Sequence, residues 1–421
     1  HLIKMPFDER VKNLETISNR QLLVALHEAT SGKPFQDIIK DEYNSILDLN
    51  AKSLYLTVCI LHRLGCFTRA GLISRVHGIR FEEFQKHLFA PLEFIVFAKE
   101  NAQVRDAELV FESILTNEQD RYDEYHRIIS NLNTDFESDR VAFIAMTKAK
   151  NLLNLFSDPL KIKRLYDIAN ETSPDDYKLI QQQAIYELKR PNPNRQLAEQ
   201  YLNKAMRLAP NHPILMHSQA ELILDKAVSS NVKLVKQKLL QECEQICTKL
   251  IGKDKSYVHP YHTILKARIH KLDYYTKHEG EFILENLIKD VEKQLVVCKQ
   301  QFPDEHLILN EESRFNSIIN NQPKALEALS KAYELNKSSP FISIRLSNFY
   351  LQSQDIEGAI SICEQTLALN PNDKDVNFQH AMLMMKLSNP DYANIKYSLK
   401  KSFTAKDARY EAQFWYARTC Y

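Results

Sequence analysis

The feature that most constrains the fold is a 34-residue recurrence near the end of the chain. Leu335, Leu369 and Phe403 are equally spaced (369 − 335 = 34; 403 − 369 = 34), and Ala325, Ala359, Ala393 and Leu329, Cys363, Tyr397 keep the same step. A fixed period of this length is the mark of stacked helix pairs, each too small to bury its own apolar face alone. Within a unit, Ala325/Leu329/Ala332/Leu335 and Ala359/Cys363/Thr366/Leu369 advance by four, three and three, which keeps one side of a helix. The alanines let a neighbouring helix approach closely. Asn370-Pro371 then stops the helix, because proline removes a donor and disfavours helical geometry before it. In the third unit Lys400 stands where a small residue is expected.

Only 7 glycines in 421 residues, against average usage of roughly 7%, disfavours strand-and-turn architectures and phosphate loops and fits a helical solenoid. The 55 basic and 54 acidic residues leave a net charge of +1, so no global field argues for nucleic acid or an anionic membrane. Seven scattered cysteines form no disulfide framework, and a reducing cytoplasm is the expected compartment. No apolar run of about 18 residues and no signal peptide is present. The chain opens at His1 and closes at Cys420-Tyr421 within a repeat's first helix, so it is expected to be a portion of a longer protein.

Residues 1–50 read as helices, one carrying Leu22, Leu23, Leu26 and Ala29, the next Phe35, Ile38, Ile39 and Tyr43, joined by a Thr30–Pro34 turn. Ser31-Gly32-Lys33 is a helix-terminating turn and not a phosphate loop, since His27 and Pro34 occupy the positions that need glycine and Ser/Thr. Residues 51–115 give a helix from Ala51 ended by Gly65, two short helices at Leu72–Val76 and Phe81–Leu88, then strands over Leu92–Phe97 and around Gln103–Arg105. That order is the order of a winged helix. Residues 116–174 read as a helical bridge, with Val141, Ile144 and Ala145 among its core positions and Asp158-Pro159 closing the series. A solenoid begins near residue 175 and runs to 421, its repeat face returning as Ala198, Leu202, Ala205 and Leu208; between Pro213 and Gln322 its helices are longer and irregular.

Few residues invite chemistry. Arg69, Arg75, His77, Arg80 and Lys86 are interleaved with Glu82 and Glu83; they could be solvated surface, internal contacts or DNA contacts, and no dense basic stripe favours the last. Cys243 and Cys247 share a helix face, with His259 and His262 downstream, but paired zinc spacings are missing and a small-residue core position explains them better. Phe414-Trp415-Tyr416, beside Tyr410, suits either core or a stacking groove. No catalytic constellation converges, so this portion is expected to catalyse nothing.

Arg20–Phe35, Asp41-Glu-Tyr43, Ala51–His62 and Arg69–Arg75 resemble the region that follows the nucleotide-binding core in bacterial STAND NTPases, over residues about 14–115. Antiphage defence proteins of the Avs type share the order of lid helices, winged helix and tetratricopeptide sensor. The resemblance implies ATP and Mg bound upstream of this chain, an upstream effector such as a nuclease or NAD hydrolase, a phage protein as trigger and a homo-oligomer when activated. It also implies a histidine that touches the nucleotide phosphate after the wing. The matching place is Arg105-Asp106, which lacks it, leaving Arg105 together with His77 or His62 as the cofactor-facing candidates. The alternative expectation is a repeat scaffold that binds host proteins or peptides.

Overall fold

The computed structural model of the protein describes residues 35–86, 90–92, 96–98, 102–104, 107–278, 281–404 and 410–420. The expectations for residues 1–34 and for Arg105 lie outside these. Chain contacts divide the molecule into two units, one ending at Tyr186 and the other running Glu187–Tyr421.

The first unit is built around one buried helix. After α1 (Phe35–Ser45), α2 (Leu49–Arg63) is capped by Asp48, whose carboxylate accepts from the backbone N–H groups of Asn50 and Ala51 at 2.7 and 3.1 Å. Every residue of α2 from Leu54 to Leu61 is buried, and Gly65 ends the run at φ +73°, a conformation that suits glycine. α3 (Ala70–His77) is stopped in the same way by Gly78. Single 3₁₀ turns at Phe81–Glu83 and Ala90–Leu92 lead into strands β1 (Val96–Ala98) and β2 (Ala102–Val104), paired antiparallel with Val96 opposite Val104. Helices α4 (Ala107–Ile114), α5 (Glu118–Asn131), α6 (Glu137–Thr147), α7 (Ala149–Leu155), α8 (Pro159–Thr172) and α9 (Tyr177–Lys189) follow. α2 packs against α3, α4, α5 and β2.

The series expected to end at Asp158-Pro159 does so, since α7 stops at Leu155; Pro159 then opens α8 at its first position, with Asp158 as its cap, because the missing proline N–H would be unpaired there anyway. One expectation is corrected here. On α6 the buried face is Asp139, Ala142, Phe143 and Met146, while Val141 and Ile144 are exposed. The helix is turned so that Asp139 meets Arg75 of α3 and accepts from the N–H of Asn133 at 3.1 Å.

In the second unit α10 (Arg195–Leu208) precedes five helix pairs: α11 (Pro213–Ser229) with α12 (Lys233–Lys253), α13 (Val258–His278) with α14 (Glu281–Gln301), α15 (His306–Ile318) with α16 (Gln322–Leu335), α17 (Pro340–Gln352) with α18 (Ile356–Leu369), and α19 (Lys374–Met384) with α20 (Tyr392–Thr404). α21 (Tyr410–Thr419) follows. Each helix packs on the next, and first helices also pack on following first helices, as α11 on α13, α13 on α15 and α17 on α19. This is the packing logic of a tetratricopeptide-like helical repeat, in which cores form only between neighbours.

The repeat is visible in its caps. Asn194, Asn321 and Asp355 each accept from the backbone N–H three residues on, at 3.0, 3.4 and 2.8 Å, starting α10, α16 and α18 alike. Ala198, Ala325 and Ala359 are wholly buried, and so are Cys363 and Thr366. The fourth position of the motif is different: Leu208, Leu335 and Leu369 sit at the ends of their helices and are exposed.

The third unit departs from the expected register. Ala393 and Tyr397 are exposed, whereas Ile395, Leu399 and Ser402 are buried. Ile395 lies 36 residues after Ala359 (395 − 359 = 36), and Asp391, which accepts from the N–H groups of Ala393 and Asn394, lies 36 after Asp355 (391 − 355 = 36). The longer turn before α20 has shifted the helix by two residues. Burial follows the turn, not the count of 34.

Candidate protein-recognition face

The first helices of the pairs carry most of the second unit's buried polar groups: His217 and Ser218 on α11, Thr263 on α13, Asn310, Glu311, Ser313 and Asn316 on α15, Ser343 and Ser347 on α17, and Asn377 and His380 on α19. The second helices carry few among the described residues. Burying such groups is costly unless each finds a partner. Some of the partners lie on the neighbouring first helix, as Thr263 for His217 and Arg345 for Asn310 and Ser313, and others on the same helix or, for His380, on α20.

Glu311 is the centre. Its side chain is only 4% exposed, yet it faces Arg314 Nη1 at 2.9 Å on its own helix and His262 Nε2 at 3.6 Å on α13. Burial alone pushes its carboxyl up; the histidine beside it and the charges of Arg314 and Lys266 outweigh that and hold it below the usual range. Next along the stack, Arg345 of α17 donates to the Asn310 carbonyl at 3.0 Å and to Ser313 Oγ at 3.3 Å, and also bonds the Asn310 side chain. Burial brings Arg345 down to about 10, so it remains cationic at neutral pH. Gln379 of α19 donates to Asn348 Oδ1 at 2.8 Å and Ser347 Oγ at 3.3 Å, extending the seam.

The seam places Lys266, Arg314 and Arg345 around a single carboxylate. His270, one turn beyond Lys266 on α13, is pushed down to about 4 by burial and then by Arg314. Phe341 stands exposed beside Arg345, whose guanidinium lies 5.8 Å from its ring centre. His262, Lys266 and His270 recur at four-residue steps on α13, and Phe341, Arg345 and Asn348 at four and three on α17, so each set lines one helix side. At the start of the stack His217 meets Thr263 Oγ1 at 3.0 Å, and its ring packs with those of Tyr257 and His259 at 5.7 and 5.6 Å between centres. The arrangement is a cationic, partly aromatic face that can accept an anionic group against a rigid backing.

The sequence candidates fall elsewhere. Cys243 and Cys247 lie buried side by side on α12; the hydrogen bond between them and then burial push the Cys247 thiol up. The His259 ring meets that of His217 at a tilt and His262 faces Glu311, and no group of three metal-ligating side chains is poised for a metal among the described residues. His77 ends α3, where burial and Arg127 lower it to about 4 and its Nε2 is buried without a hydrogen bond. His62 sits half-buried in the last turn of α2. Arg75 donates to the Asn131 carbonyl at 2.8 Å and Arg69 lies over the Phe136 ring, whereas Arg80 and Lys86 are exposed. Phe414 is exposed, while Trp415 and Tyr416 pack partly against the α19–α20 core.

No known protein-family profile and no curated protein matches the chain. Among solved structures, a thermophilic TPR protein of Thermus thermophilus is 16% identical, covering 50% of this chain and 99% of that one with a TM-score of 0.39. The APC/C hetero-tetramer Cut9–Hcn1 is 14% identical over 75% of each chain, with a TM-score of 0.28. The helical-repeat reading of the second unit rests on its own caps, burial pattern and neighbour packing.

Proposed function

We propose that the chain is a protein-recognition module and that its contact surface is the first-helix face of the second unit. The observation that carries this is the excess of cations, Lys266, Arg314 and Arg345, held around one buried carboxylate on three consecutive first helices. A partner segment with a carboxylate or other anionic group beside an apolar side chain suits that face, the latter against Phe341. The reading is tested by a double substitution, Lys266→Ala with Arg345→Ala, in the full chain. Capture of the natural partner from infected and uninfected cells should fall at least tenfold, with helicity unchanged; undiminished capture refutes the face.

The finer reading is that this module is the sensor and regulatory part of a STAND NTPase in antiphage defence, with a phage protein as trigger and ATP-dependent oligomerisation as output. It is supported by the resemblance over residues about 14–115 and by the helix–helix–hairpin order of α2, α3 and β1–β2, which suits a winged-helix domain over 51–115. A trigger must bind the active state more tightly than the resting one, by about 5.5 kcal/mol for a near-complete switch. Phage challenge of cells carrying the full-length protein, with and without residues beyond 175, decides the point. Continued triggering without the solenoid sinks it. No helix among the described residues is long and apolar enough to cross a membrane.

A further inference from the structure

Helices α5 and α8 of the first unit run side by side in the same direction. At their starts Ser157 Oγ donates to Glu118 Oε2 at 2.6 Å and Lys161 Nζ lies 4.0 Å from Glu118 Oε1; at their ends Thr172 Oγ1 donates to the Ile129 carbonyl at 3.3 Å. Two helix C-termini therefore come to one place, each with the negative end of its dipole and with carbonyls that have no partner inside the helix. Pro174, just beyond α8, has no N–H to offer them. Between these ends and the turn at residues 133–135 lies a cleft of about 630 Å³, the size of a small-molecule site.

The carboxylates at its wall have no counter-charge. Asp135 lines the cleft from the turn and Glu171 from the last turn of α8, and neither is paired with a cation among the described residues. No lysine or arginine lines it. Arg75, which reaches the end of α5, is engaged by the Asn131 carbonyl and by Asp139, and the positive end of α6 is met by its own Glu137 and Asp139. Ser130 Oγ, also at the wall, donates to the His126 carbonyl at 2.8 Å and keeps its lone pairs for an incoming donor. Buried Leu132 and half-buried Ile168 add an aliphatic side. An anion would meet two carboxylates and two negative helix ends. A bare metal ion would find no group of three ligating side chains among the described residues. A positively charged donor on an aliphatic stem satisfies both the acceptors and the apolar side.

We infer that the cleft at the joint C-terminal ends of α5 and α8 binds a free small organic cation, an aliphatic ammonium or guanidinium. Its head meets Asp135 and Glu171, and its stem lies against Ile168 and Leu132. The site lies wholly in the first unit, so it stands or falls independently of the first-helix face.

Agmatine and spermidine are the probes, titrated by calorimetry against the full chain, with butanediol as the neutral control and glutarate as the anionic one. Both cations should bind saturably and weaken with added salt, and neither control should bind. Asp135→Asn with Glu171→Gln should weaken agmatine at least tenfold, and Ser130→Lys, which tethers an ammonium in the cleft, should do likewise. All three side chains are exposed, so thermal midpoints without ligand should not fall. Glu327→Gln, at an exposed carboxylate of the second unit, should leave affinity unchanged; an equal loss there would show diffuse attraction to surface charge and overturn the inference. Unchanged affinity in both cleft variants overturns it, as does butanediol binding as tightly as agmatine. An arginine-containing peptide that needs Asp135 and Glu171 for binding, while agmatine and spermidine do not bind, would show the occupant to be a partner's side chain, and the inference would fail.

Discussion

Replacing Glu311 by glutamine keeps the side chain's volume and removes only its charge. Arg314 and His262 would then face a neutral amide in a site that is almost closed to water. Breaking a fully buried ion pair by removing one member costs about 3–5 kcal/mol. Arg314 is 24% exposed, so water screens part of the loss, and about 2 kcal/mol is the reasonable expectation. At roughly 2–4 °C per kcal/mol for a unit of this size, the melting transition assigned to the second unit should drop by about 4–8 °C. The sign of the pH dependence checks the cause. A carboxyl whose folded pKa is depressed contributes stability that is fully present above its unfolded value, roughly 4.3, and is lost as pH falls through the folded value. The gap between the two proteins should therefore be constant from neutrality to about pH 5 and narrow steadily as pH falls below that unfolded value. Scanning calorimetry across that range, with hydrogen exchange on α13 and α15 to locate the loss, reads both quantities. A variant that melts with the wild type at neutral pH, or a gap that persists in acid, would show that the carboxylate does not hold the seam.

Ala359→Leu, at a position with no exposure, should overpack α18 and cost about 1–3 kcal/mol, while Ala393→Leu should stay within about 0.5 kcal/mol because its side chain is exposed; equal effects in denaturant titrations would contradict the two-residue shift. Asp139→Asn should destabilise the first unit by about 2 kcal/mol, discounted because Arg75 is a third exposed, and protease susceptibility of α6 should rise with it. His77 and His270, both brought down to about 4, take up fewer protons when folded than when unfolded between that value and the ordinary 6.5. Stability should fall as pH drops through that window, on the order of 2 kcal/mol for each after allowing for partial exposure. His77→Gln should flatten the fall for the first unit in urea midpoints taken from pH 7 to pH 5, and a slope unaffected by the substitution would remove histidine as its cause.

Much of the fold could be read from residue type alone, because the signals are local. The small-residue face and the Asn370-Pro371 stop placed α10, α16 and α18, and the longer helices expected between Pro213 and Gln322 appear as α12, α13 and α14, each of 21 residues. What went astray was rotational or non-local. Val141 and Ile144 looked like core because they are apolar, but the orientation of α6 is set by an ion pair 64 residues apart in sequence, between Arg75 and Asp139. Tyr397 matched the 34-residue step by coincidence of count, while Leu399 matched the turn.

The recognition face was hidden for a related reason. Periodicity finds the positions that every repeat must fill with small or aliphatic residues, and those positions are core. Residues that distinguish one repeat from the next lie between them, and their meaning depends on which side chain of the neighbouring first helix they meet. Glu311 in sequence is one carboxylate beside Glu312 and Arg314, indistinguishable from a solvated helix pair. Only the packing of α13 on α15 brings His262 and Lys266 to it, and only α17 brings Arg345 over Asn310 and Ser313. The surrounding serines are the nearest thing to a signal. Ser313, Ser343 and Ser347 are each almost wholly buried on first helices, where an aliphatic residue would have served a simple core. Ser313 leaves room for Arg345 to reach across from α17 and accepts from its guanidinium at 3.3 Å, while Ser347 donates to the Ile344 carbonyl of its own helix. A run of helices whose inward positions alternate serine or asparagine with one long cation is therefore a pattern that could be sought in other irregular repeats, and in this chain it singles out Arg345.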